Sequence, residues 1–270
     1  MNAFIQHFTY EFKTGLRNPS LLLINYLFPL GFYAMMGLIM TAINPLFTAS
    51  MVPAMVIFTI VASTVLGMPS PLVEAREAGV FRSYKINGVP AISILAIPGL
   101  TTGFHALISA AIIALTAPIF FDGDAPLRVG AFVGITLLTA FTCSSLGMLI
   151  SVVSDNSRAT ILWSQLIFLP SMLLGGMMVP LDVLPDSVRP FSALLPASHA
   201  MELFTGWAYG RVATFNLTAS ALILASSGVV AFLLSIYLFN WDTRNQARRG
   251  HPLMGLLALL PYAIGALLML

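Results

Sequence analysis

Seven stretches of this 270-residue chain are apolar over lengths that only a lipid bilayer demands, and none of them contains an Asp, Glu, Lys or Arg. They cover residues 20–43, 52–73, 91–121, 129–153, 159–179, 215–240 and 252–270. A helix rising 1.5 Å per residue needs about 20 apolar residues to cross roughly 30 Å of hydrocarbon. The first six runs therefore predict spanning helices. The third is long enough to tilt or break near Pro98-Gly99, and the seventh, barely long enough and carrying Pro261, either crosses or lies re-entrant or in the interface. Composition agrees: 58% of residues are hydrophobic and only 8% charged, against about 25% charged in soluble domains. The fold class expected is an all-α polytopic membrane protein, one domain over 1–270, with six transmembrane helices and a seventh apolar segment at 252–270.

Residues 1–19 are too polar to span but are periodic. Phe4, Ile5, Phe8, Phe12 and Leu16 share one side of a helical wheel, with Gln6, Lys13 and Arg17 opposite, which predicts an interfacial helix against membrane lipid. No apolar core of a signal peptide precedes the first long run, so that run is expected to act as its own insertion signal. With a cytoplasmic amino terminus, nine of the twelve basic residues fall inside: Lys13, Arg17, Arg76, Arg82, Lys85, Arg158, Arg244, Arg248 and Arg249. Arg128, Arg189 and Arg211 fall outside. That asymmetry predicts a multi-pass protein of the plasma membrane with its amino terminus in the cytoplasm.

The spans lack the charges of a proton relay, cation site or voltage sensor. His105 is the only imidazole in a span and reads as a hydrogen-bonded packing residue. The four histidines show no metal-ligand spacing, no catalytic Ser/His/Asp set is evident, and Cys143 sits among apolar neighbours, so no metal site and no catalytic residue is assigned. A net charge of +2 is too small to argue for nucleic acid. Neither Lys13 nor Lys85 follows a glycine-rich turn, so the chain has no phosphate-binding loop. If it pumps, a separate ATPase subunit must supply the energy and hold the ATP and Mg.

Residues 74–90 form a charged island between two apolar runs. Glu74, Arg76, Glu77, Arg82 and Lys85 lie within twelve positions, interleaved with Phe81 and Tyr84, and Asn87-Gly88-Val89-Pro90 ends the segment with turn chemistry. Either a short amphipathic helix that presses on a protein groove or a solvated loop fits this pattern. A second punctuated region, 175–203, is too polar to span and too apolar to float free. Gly175-Gly176 and Pro180 end the fifth run, and Pro185, Pro190 and Pro196 divide the remainder of the region, which reads as a helix-turn-helix dipping into the outer leaflet or as an ordinary external loop.

Interfacial helix, two spans, island with Gly79 and Gly88-Val89-Pro90, three spans, then Gly176, Pro180, Leu184-Pro185 and Pro196 before the sixth span: over about residues 1–240 this order resembles the ABC-2 type permeases of bacterial ABC exporters, drug-efflux permeases included. The resemblance implies a permease without ATPase chemistry of its own. It would work with an ABC ATPase subunit and a second permease copy or homologue, in the bacterial inner membrane. It makes 74–90 a coupling helix, with Glu74, Arg76, Glu77, Gly79, Phe81, Arg82, Tyr84 and Lys85 toward the ATPase. It makes 181–214 external re-entrant helices, with Gly176, Pro180, Pro185 and Pro196 at an exit gate. It places Met55, Phe58, Phe168, Met172 and Met177 on the second and fifth spans along a translocation path for an apolar or amphipathic drug, lipid or glycolipid. An ion-coupled carrier and a membrane-embedded enzyme or assembly factor are the alternatives. The segment 252–270 departs from the six-span pattern.

Overall fold

The computed structural model describes residues 3–242 and 250–269. Arg244, Arg248, Arg249, Leu270 and the side chain of Phe4 lie outside the described residues. Regular structure among the described residues is helical throughout. An amphipathic helix, α1 (Ala3–Arg17), is followed by Asn18, whose side-chain oxygen accepts from the Ser20 N–H at 2.9 Å and starts the next helix at Pro19. Four long helices come next: α2 (Pro19–Ile43), α3 (Pro45–Glu77), and, after the seven-residue α4 (Val80–Ile86), α5 (Ala91–Phe120) and α6 (Val129–Val153). The chain continues through α7 (Ser157–Leu174), the single turn α8 (Arg189–Ser192), α9 (Pro196–Leu203) with a π turn at Phe204–Ala208, and α10 (Leu217–Leu238). A 3-10 run at Pro252–Leu259 leads into α11 (Leu260–Met269).

Prolines inside these helices leave carbonyls without their helical donors, and at Pro29 and Pro53 distant side chains replace the missing bonds. Pro29 has no N–H for the Asn25 carbonyl four residues back, the turn widens to π geometry over Leu23–Leu27, and the Ser109 hydroxyl donates to that carbonyl at 2.8 Å. Pro53 deprives the Ala49 carbonyl in the same way, and the Arg211 guanidinium, which also pairs with Asp124, donates to it.

The second span is the centre of the bundle. Of the most apolar window of α3, 89% is buried inside the chain, and Phe58 stacks on Phe32 of α2 at 4.1 Å and leans on Phe168 of α7 at 5.7 Å. On the other side, α6 packs against α10, where the Thr142 hydroxyl donates to the Leu224 carbonyl at 3.0 Å.

Among the described residues five helices, α2, α3, α5, α6 and α10, are long and apolar enough to cross a membrane alone. Two of the seven expected spans differ from that. The run 159–179 stays helical only to Leu174, because Gly175 and Gly176 break it and 175–180 continue as irregular backbone. The run 252–270 is a 3-10 stretch joined to a ten-residue helix instead of one long helix. It nevertheless lies along all of α10. Gly255 abuts Val153 at the island end, the Ser227 hydroxyl donates to the Ala258 carbonyl at 2.8 Å, and Ala266 packs with Ala193 and Phe215 at the far end.

The apolar stripe of α1 divides. Phe8 and Phe12 turn toward the protein, Phe12 stacking on His105 at 4.5 Å, while Ile5 and Leu16 stay exposed. Gln6, Lys13 and Arg17, the expected polar face, are exposed, while His7, Glu11 and Thr14 are partly buried with the phenylalanines.

Candidate functional site

The charged island is two helical pieces instead of one. The helix of the second span runs on to Glu77, Ala78 and Gly79 form a turn with Gly79 at φ 76°, and α4 then starts in a new direction. A left-handed residue there requires glycine for an unstrained chain. Gly88, at φ 72°, closes the island the same way.

Packing divides the island into a rear and an outer surface. Arg76 is only 6% exposed and points inward, donating to the Val152 carbonyl at 3.3 Å and to the Ser154 carbonyl at the end of α6. The guanidinium thereby meets the carbonyl-rich end of a helix, which favours a cation. Ser157, first residue of α7, donates to the Glu77 carboxylate at 3.2 Å. Phe81 is buried against Phe239 at 5.8 Å, Arg82 pairs with Asp242, and the Lys85 ammonium stands 5.9 Å from the Trp241 ring. Tyr84 is half-buried behind α4. The outer surface consists of Glu74, Glu77, Arg82, Lys85 and, at its tip, Ile86, 85% exposed. Arg76 and Phe81, grouped by sequence with the partner-facing residues, belong to the anchor beneath it. Sequence reasoning misses Ile86: a single apolar residue beside a turn carries no periodic signal, and only its exposure marks it.

The second cluster is at the opposite end. Gly176 is buried at φ 82°, and a Cβ there would meet the Met201 Cγ at 2.9 Å and the Leu181 Cγ at 3.1 Å. Pro180 precedes the 3-10 turn Leu181–Val183, the Pro185 carbonyl accepts from the Val188 and Arg189 N–H groups at 2.9 and 3.1 Å, and Pro196 is the buried first residue of α9. All of α9 is buried, including two titratable groups that sequence reasoning passes over. His199 donates from Nε2 to the Ala193 carbonyl at 2.8 Å and its Nδ1 lies 3.0 Å from the Ser220 hydroxyl, and burial pushes its pKa down to about 4, which favours neutral imidazole. Glu202 accepts from the Phe215 N–H at 2.9 Å, and burial outweighs that bond to push its carboxyl above the ordinary carboxylate value.

The five residues expected along a translocation path come together in the core. Met55, Phe58, Phe168 and Met177 are buried and Met172 half-buried, walled in by their own chain, so in this conformation they line no open passage. α7 instead turns a row of leucines outward: Leu162, Leu166, Leu169 and Leu173, at spacings of four, three and four.

Apolar helices of crossing length, a polar platform at one end and a proline-punctuated buried hairpin at the other define an all-α polytopic membrane protein. The profile of the ABC-2 type transporter family matches residues 2–209, and the chain belongs to that family. It is similar to nodulation protein J of Rhizobium leguminosarum bv. viciae, 28% identical over 101 residues that make up 37% of this chain and 39% of that protein. Nodulation protein J of Sinorhizobium fredii (strain NBRC 101917 / NGR234) is 33% identical over 66 residues, 24% of this chain and 25% of that protein. The matched stretches thus cover about two fifths and one quarter of the length of these relatives.

Proposed function

We propose that this chain is the permease subunit of an ATP-driven exporter, paired with a second permease copy and with ABC ATPase subunits that bind the ATP and Mg. The amino terminus and the island face the cytoplasm, the hairpin at 175–209 faces outward, and the tail 252–270 makes a further crossing. The observation that carries this reading is the outer surface of the island. Glu74, Lys85 and Ile86 stand out from a base that Arg76 and Glu77 tie to the junction of α6 and α7, so force on the platform reaches two helices at once. The cargo is an apolar or amphipathic molecule such as a drug, lipid or glycolipid, and it passes when α3 and α7 separate around Phe58 and Phe168.

Reconstitution tests this. Proteoliposomes holding the permease and its ATPase should export cargo only with ATP, and Lys85→Glu combined with Ile86→Asp should depress ATPase binding and export together while membrane insertion is kept. Reporters after Lys85 and Asp186 should read cytoplasmic and external respectively. Export that persists without ATP or an ATPase partner would replace this reading with an ion-coupled carrier.

A further inference from the structure

Behind the island lies a cavity of about 220 Å³ that neither docking nor gating uses. Five helices wall it: α1, α2, the end of α3, α4 and α5. Much of its wall is apolar, including Leu21, Leu72 and Ile94, but α1 contributes His7 and Glu11, α2 contributes Asn25 and α4 contributes Tyr84.

The chemistry of these polar groups favours a cation, although the His105 imidazole also lines the cavity, its Nδ1 2.6 Å from the Tyr26 hydroxyl and its Nε2 against Gly15 of α1. Among the described residues of the lining, Glu11 is the only carboxylate and there is no Lys or Arg. The nearest cationic candidate, His7, holds its Nε2 3.6 Å from the Glu11 carboxylate, longer than a hydrogen bond, and its ring stands edge-on to Tyr84 at 6.0 Å. Asn25 is 2% exposed, and its side-chain oxygen has no hydrogen-bond partner among the described residues. Its place in the π turn before Pro29 is what turns this residue out of the regular helix pattern. The Tyr84 phenol is pushed up first by burial and then by the nearby Glu11 carboxylate and Tyr10. A carboxylate, an unsatisfied amide oxygen and an aromatic face all ask for a donor that carries positive charge.

We propose that this cavity is a binding site for an amphipathic amine, its ammonium held by Glu11 and Asn25 beside the Tyr84 ring and its aliphatic part laid along Leu21, Leu72 and Ile94. Anionic amphiphiles are disfavoured, because the described lining has no Lys or Arg to meet them, the Glu11 carboxylate repels them, and desolvating an unpaired anion is costly. The site is formed by the permease chain alone. A bound amine separates α1 from α4 like a wedge, so its occupancy changes how the platform is held from behind.

The test uses purified full-length permease in nanodiscs and a photoactivatable octylamine, with octylamine, octanol and octyl sulfate as competitors and labelled peptides identified by mass spectrometry. Labelling of α1, α4 and α5 is expected, displaced by octylamine and not by octyl sulfate. Glu11→Gln should weaken it about tenfold, the loss of one charge-assisted hydrogen bond, and Glu11→Asp should restore part of it. Ala75→Phe, which fills the cavity from α3 and leaves Glu11 in place, should abolish labelling even where Glu11→Gln fails to fold. Equal displacement by octyl sulfate, labelling unaffected by Glu11→Gln, or labelling that survives Ala75→Phe would overturn the assignment. No ATPase is present in the assay, so such a failure leaves the exporter reading intact.

Discussion

Arg76 and Ser154 are 78 positions apart, yet the guanidinium of the first closes on the carbonyl of the second inside the protein. This contact fixes the end of the second span to the end of the fourth, directly beneath the platform. Replacing Arg76 with Met should lower stability by about 1.5–3 kcal/mol, since the Val152 and Ser154 carbonyls lose a charged donor. Arg76→Lys should recover only part of it, because an ammonium cannot present the two-pronged fork. Thermal unfolding in detergent measures both, and a wild-type midpoint for Arg76→Met would show that the contact carries no load.

The hairpin end depends on Gly176. A leucine there needs a left-handed backbone and space already held by Met201 and Leu181, and the backbone strain alone is about 1–2 kcal/mol. Export should fall steeply in Gly176→Leu while ATPase activity continues, and Pro185→Ala should show a milder form of the same uncoupling. Loss of both activities in parallel, or of neither, measured in the same proteoliposomes, would remove the gate role.

His199 gives the hairpin a pH dependence. Its folded value of about 4 lies below that of free imidazole, so between about 4 and 6.5 the unfolded chain binds a proton that the folded chain excludes, and stability falls as pH falls through that window. Glu202 acts with opposite sign, its raised value removing stability as pH rises above the ordinary carboxylate range. Comparison with His199→Gln isolates the imidazole: the wild-type melting temperature should drop relative to the variant from pH 6.5 to 4. Parallel curves would mean that His199 does not titrate as its surroundings require.

The leucine row of α7 provides a test of pairing. Cys143 is buried, so a cysteine introduced at Leu166 or Leu169 is the accessible thiol. Oxidation should link two copies through either position but not through Leu137, exposed on α6. Equal yields from all three positions would mean that the row faces lipid.

The class of fold is legible because long uncharged runs have few physical solutions, and α2, α3, α5, α6 and α10 fall where those runs lie. Boundaries set by glycine geometry are less so. Hydropathy carries the fifth run on to residue 179, but the positive φ of Gly176, with Gly175 before it, ends α7 at Leu174. Within the island, charge alone cannot separate Arg76 from Lys85. One points at helix-end carbonyls supplied from 76 and 78 positions away, the other outward, and only the turn at Gly79 decides which. The aromatic stripe of α1 reads as facing lipid because the helical wheel shows amphipathicity and not which neighbour each side meets. Phe8 and Phe12 turn toward the protein instead, Phe12 onto His105.

Docking of an ATPase on the platform is tested most directly by a photocrosslinking amino acid at position 86, introduced in the complete transporter in native membranes. Illumination should join the permease to its ATPase subunit, with a yield that changes between ATP-bound and nucleotide-free states, while the same probe at Val183, exposed at the hairpin end, yields no such adduct. An ATPase adduct from position 183 and none from position 86 would contradict both the docking surface and the orientation of the chain.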